Sequence, residues 1–115
     1  MKLETLSANE QIEAFNAACI GQWAEIFSGT LKGSNASVRK MDRLAASWAG
    51  RGALREMLGG HLSQGDERLR FAAAAYLVKY FRDEAAIGTL RDLVGTSQTL
   101  VGVSAAAILR TYRVE

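Results

Sequence analysis

Four consecutive alanines, Ala72, Ala73, Ala74 and Ala75, lie in the middle of the stretch RLRFAAAAYLVKYF, residues 68–81, with bulky residues on both sides. On a helix that advances about 100° per residue, four neighbours in a row point in four different directions. Leu69, Tyr76 and Tyr80 then share one side, Leu77 and Phe81 a second, and Phe71 and Val78 a third. Arg68, Lys79 and Arg82 occupy one narrow sector, and Arg70 in the first turn is the only charge elsewhere. A helix that is apolar around most of its circumference is buried from several sides. Small side chains let the neighbours approach closely, and the aromatic rings fill the gaps between them. The stretch therefore predicts a central helix squeezed by others, which is a layered arrangement of helices.

The rest of the chain agrees with an all-α reading. There is no proline, and strong helix formers dominate. Ile12, Phe15, Cys19, Trp23, Ile26 and Phe27 recur at helical spacing, and Ser7-Ala8-Asn9-Glu10 fits a capping box. With Gly29 as a stop, a first helix is expected over about 8–28. A turn at Gly33-Ser34-Asn35 should lead into a second helix, about 35–49, carrying Val38, Met41, Leu44, Ala45 and Trp48 inward. A short third helix holds Leu54, Met57 and Leu58 and stops at Gly59-Gly60, and HLSQGD reads as a loop. Asp66 should cap the alanine-rich fourth helix and Asp83 a fifth. The fifth has Ile87, Leu90, Leu93 and Val94 inward and ends at Gly95. Thr96 or Ser97 should begin a sixth, with Leu100, Val103, Ala107 and Tyr112 on its stripe.

Part of this pattern occurs twice. LREMLG at 54–59 matches LRDLVG at 90–95, and AAAYLVKY at 73–80 matches AAAILRTY at 105–112, with five of eight residues identical in the second pair. Two repeat-like hairpins, about 53–81 and 84–112, follow from this, in a single domain spanning 1–115. With Asp66, Arg70, the pair Ala72-Ala73 and the run Leu54–Leu58, the hairpins resemble the HEAT/armadillo class of helical repeats. The chain also resembles a family of small bacterial single-domain proteins without an assigned function. The shared features are the amphipathic helix Leu6–Phe27, Arg51-Gly52, Leu54–Leu58, His61 and Arg70–Ala73. Leu62 stands where members of that family commonly carry proline. The resemblance implies stacked antiparallel hairpins in a HEAT-like α-α superhelix, and its motifs are packing motifs.

Chemistry is sparse. Cys19 lies on the apolar stripe of the first helix and reads as a buried, inert thiol. His61, the only histidine, reads as solvent-exposed or as a cap. With one histidine and one cysteine, a zinc site is not expected. Asp66-Glu67 and Asp83-Glu84 stand where helix starts favour negative charge. GRG and GG do not match a phosphate loop. No catalytic residue, cofactor or metal is therefore expected, and the chain does not read as an enzyme. The amino terminus MKLETLSANEQ lacks the apolar run of a signal peptide, and no stretch approaches a membrane span, so a cytoplasmic protein is expected.

Charge is unevenly spread. Residues 1–31 carry one lysine against four glutamates, residues 32–55 six cations against Asp42, and residues 56–115 seven of each sign. Two binding readings follow. In the first, the chain is a non-catalytic protein–protein interaction module, of adaptor or toxin-immunity type, with Arg68, Lys79 and Arg82 as the charged rim of a groove beside the central hairpin. In the second, Arg39, Lys40, Arg43 and Arg55 in the basic segment 32–55 contact nucleic acid, or serve as a partner's docking patch. Self-association through an end of the stack stays open. No membrane partner is expected.

Overall fold

A computed structural model describes residues 3–29 and 32–114. The protein is all-α. Among the described residues there are six α-helices and no strand: α1 (Ala8–Ser28), α2 (Lys32–Gly50), α3 (Leu54–Leu58), α4 (Glu67–Phe81), α5 (Glu84–Thr96) and α6 (Leu100–Thr111). Two 3-10 segments, Leu3–Thr5 and Gly59–Ser63, complete the order. None of the described helices is long and apolar enough to cross a membrane. The chain divides into two compact units, Met1–Met57 and Leu58–Glu115.

The first unit is built on the pair α1–α2. The capping box forms as its residues predict. The Glu10 N–H donates to Ser7 Oγ at 3.2 Å, and the Ser7 N–H donates to Glu10 Oε1 at 3.0 Å. The bond from the Ser7 N–H contributes most to holding the Glu10 carboxyl below its ordinary pKa, and the Ser7 side chain adds to it. Gly29 ends α1 at φ 81°, a left-handed conformation that glycine adopts without steric cost. Phe15, Cys19, Trp23, Met41, Leu44, Ala45 and Trp48 are buried, with the Phe15 and Trp48 rings 5.7 Å apart. Ile12 and Ile26 are half-buried and Phe27 is exposed, so the inner stripe of α1 starts at Gln11 rather than Ile12. The second helix starts earlier than the turn residues suggest. Gly33, Ser34 and Asn35 lie inside α2, where the first turn has no internal N–H partners to lose and weak helix formers cost little.

A buried polar set ties the amino terminus to this pair. Gln11 accepts from Trp48 Nε1 at 2.9 Å and donates through Nε2 to the Leu3 carbonyl at 3.1 Å. Arg51 reaches the same Gln11 oxygen at 3.4 Å. Only 3% of Gln11 is exposed, so each of these bonds replaces one that water would make.

The second unit is organised around α4, which packs against α5, α6 and the segment Gly59–Ser63. Ala72, Ala73 and Ala74 are buried with Leu77 and Val78. Asp66 caps the helix by accepting from the Arg68 N–H at 2.9 Å, and Asp83 caps α5 by accepting from the Ala86 N–H at 3.0 Å. Three expectations need correction. HLS is not loop: the chain continues from α3 as a 3-10 helix to Ser63, and His61 is buried on it at 6% exposure. The sixth helix begins at Leu100 with Thr99 as its cap, not at Thr96 or Ser97. Its inner stripe is Val101, Gly102, Ala105 and Leu109, while Leu100 and Val103 face out. The two sequence echoes also diverge in structure, since LREMLG forms the five-residue α3 and one 3-10 residue, whereas LRDLVG lies within the 13-residue α5.

Candidate functional site

One exposed face of the hairpin α5–α6 is unexpectedly apolar. Helix α6 reads LVGVSAAAIL and offers apolar residues on every side, so its own sequence does not choose which stripe goes inward. Gly102 makes the choice. It lies against α5 so closely that a Cβ there would sit 3.1 Å from the Leu93 carbonyl oxygen and 3.1 Å from Ser97 Cβ. With Gly102 inward, Val103 is driven outward and is 64% exposed. Val94, expected inward on α5, is 45% exposed for the related reason that Leu90 and Leu93 already occupy the buried side. Leu100 is 50% exposed.

Two adjoining clefts run along this face. One, of about 310 Å³, is lined by Val94, Thr99, Gly102, Val103 and Ala106 and ends at Arg110. The other, of about 200 Å³, shares Val94, Ala106 and Arg110 and adds Arg91 and Leu109. Clefts at the lower end of the small-molecule range have room for one or two side chains of a partner. The ends differ electrostatically. At the α5–α6 turn, Glu67 accepts from the hydroxyls of Ser97, at 2.8 Å, and Thr99. At the far end stand Arg91, which donates to the Val114 carbonyl at 3.0 Å, and Arg110.

The basic segment behaves differently. Arg39, Lys40 and Arg43 line one cleft of the first unit with Leu3 and Ala36, so three of the four cations named from sequence converge there. Arg55 lies on α3 and is not among its lining residues. The remaining set does not converge. Arg68 is held by Asp66, with Nη2 2.7 Å from Oδ2, and this bond keeps the Asp66 carboxyl below its ordinary pKa. Lys79 lies 5.4 Å from the Tyr80 ring centroid. Arg82 forms the left-handed C-cap of α4 at φ 50°. Fourteen residues separate Arg68 from Arg82, about 21 Å along a helix, so they do not frame one groove.

The two residues with reactive side chains are both buried. Cys19 has 0% exposure, as its place on the stripe predicts. The His61 imidazole is desolvated, which lowers its pKa from the ordinary value of 6.5. Among the described residues no group of three or more His, Cys, Asp or Glu side chains is placed to hold a metal ion. Compared with family models, with curated proteins and with solved structures, the chain matches none.

Proposed function

We propose that this chain is a non-catalytic protein-binding module of HEAT-like character, working in a bacterial cytoplasm as an adaptor or an immunity-type partner. The observation that carries the reading is the α5–α6 face, where Val94 and Val103 remain exposed while lining two adjoining clefts. A contiguous apolar surface with a charged margin marks a place where another macromolecule docks. Rigid helical pairs offer such surfaces and little chemistry of their own. The test is affinity capture from native lysate with the wild-type chain and with the double variant Val94→Asp/Val103→Asp. The reading expects one protein in equimolar yield with the wild type and its loss with the variant, at unchanged helical content. Recovery of the bait alone, or of the same protein by both chains, overturns it.

A second reading rests on the cleft that brings Arg39, Lys40 and Arg43 together. Three cations on one helix face suit the phosphates of a nucleic acid, whose binding weakens steeply with salt. Stacking on bases has little support, because Trp48 is fully buried. Titration of labelled duplex at low salt decides this reading, and no shift at micromolar protein removes it.

A further inference from the structure

The docking face carries information about its occupant. From the cap Thr99 to Arg110 in α6 the cleft-lining stretch covers twelve residues, eleven helical steps, about 16 Å of axis or three turns. Its centre, Val94, Val103 and Ala106, is apolar, and both clefts share Val94 and Ala106. The charged lining residues are Arg91 and Arg110, and no carboxylate is among them. Glu67 is bonded to Ser97 and Thr99 at the opposite end. The face is therefore an apolar trough with a cationic end and a hydroxyl-lined end backed by a carboxylate. A strand would leave backbone groups unpaired against side chains, since this face presents no sheet edge. An amphipathic helix pairs its own backbone and offers side chains at i, i+3 and i+4.

Building on the protein-binding reading above, we infer that the α5–α6 trough receives an amphipathic helix of about three turns from a partner protein, with Asp or Glu at the end that meets Arg91 and Arg110. Its apolar anchors enter the clefts beside Val94 and Val103. The carboxylates neutralise Arg110 and Arg91, while the Glu67 end disfavours an acid and so sets the direction in which the helix lies.

The test is a displayed library of random 16-residue peptides, panned on the full-length chain and depleted on Val103→Asp. Enriched peptides should share apolar residues at i and i+3 or i+4, with Asp or Glu clustered toward one end. A synthetic peptide of that consensus should gain helicity on binding and lose affinity on the order of tenfold on Arg110→Glu. A Lys-for-Glu copy of the peptide should recover affinity for that variant. Enrichment of peptides without acids, affinity indifferent to Arg110→Glu, or no enrichment at all overturns the inference. So does a wild-type dimer in sedimentation that Val103→Asp dissociates, because the occupant would then be a second copy of this chain. The lysate capture judges protein binding separately: a Val94- and Val103-dependent partner that binds without an acidic helix would leave that reading standing and sink this one.

Discussion

At the scale of single residues, the buried polar groups carry the sharpest consequences. Gln11 sits four residues before Phe15, in phase with the buried stripe of α1, and that phase is the one sequence signal of its role. Gln11→Ala removes the acceptor for Trp48 Nε1 and the donor to the Leu3 carbonyl. A buried donor left without its bond costs about 1–3 kcal/mol, so urea unfolding followed by tryptophan fluorescence should show a loss of that size. His61 gives a pH dependence. Its pKa is lower in the fold than in the unfolded chain, where it titrates near 6.5. As pH falls through that value the unfolded state takes up a proton that the fold declines. Stability is thus complete above about pH 6.5 and is lost as pH drops toward the folded pKa. Melting temperatures should fall between pH 7.5 and 5.5 in the wild type and fall less in His61→Gln. Equal slopes would show that His61 is not desolvated in solution. Glu10 and Asp66 are also shifted downward, so their own contribution fades only at pH values below this window.

At the scale of elements, the glycines and alanines decide how closely helices approach. Gly102→Ala improves helix propensity by about 1 kcal/mol, but its Cβ meets backbone at 3.1 Å. Overpacking of that kind costs about 1–3 kcal/mol, and the α5–α6 hairpin should be destabilised on balance. Gly88, exposed on α5 with open space around it, is the control: Gly88→Ala should stabilise by up to about 1 kcal/mol in the same denaturation assay. Ala73 and Ala74 are fully buried in α4. Enlarging either to Leu should cost about 1–3 kcal/mol by thermal unfolding, and unchanged stability of both variants would contradict their burial. Helix limits set by local chemistry were legible, as at Ser7, Gly29, Asp66 and Asp83. The start of α6 was not, because the sequence pointed to Thr96 or Ser97 and the cap is Thr99. Ser97 instead accepts from the Thr99 and Gly102 N–H groups, leaving Thr99 to cap the helix through the Val101 N–H.

At the scale of the whole molecule, the proposed function rests on surfaces rather than on reactive groups. Val103 is 64% exposed, and a substitution there touches little of the fold. Val103→Asp should change unfolding free energy by no more than about 0.5 kcal/mol, while it abolishes capture of a partner. A large loss of stability would show that Val103 is packed rather than displayed. The cations named from sequence fared unequally for a geometric reason. Arg39, Lys40 and Arg43 are three and four residues apart on one helix and meet at one cleft, whereas Arg68 and Arg82 stand at opposite ends of α4. The trough on α5–α6 was not legible, since it consists of residues whose hydrophobicity assigns them to a core.

The amino-acid sequence by itself determined the helical class, the burial of Ala72–Ala74 with Leu77 and Val78, and most of the caps, but not the exposure of Tyr80 and Phe81 at the end of the same helix. Each of these depends on spacing or on bonds between residues a few positions apart. Only the tertiary structure decided which apolar stripe of α6 is hidden, that His61 is desolvated, and that Gln11 lies inside. Those outcomes depend on how closely one helix approaches another, and a segment that is apolar all round leaves that contact to its neighbour.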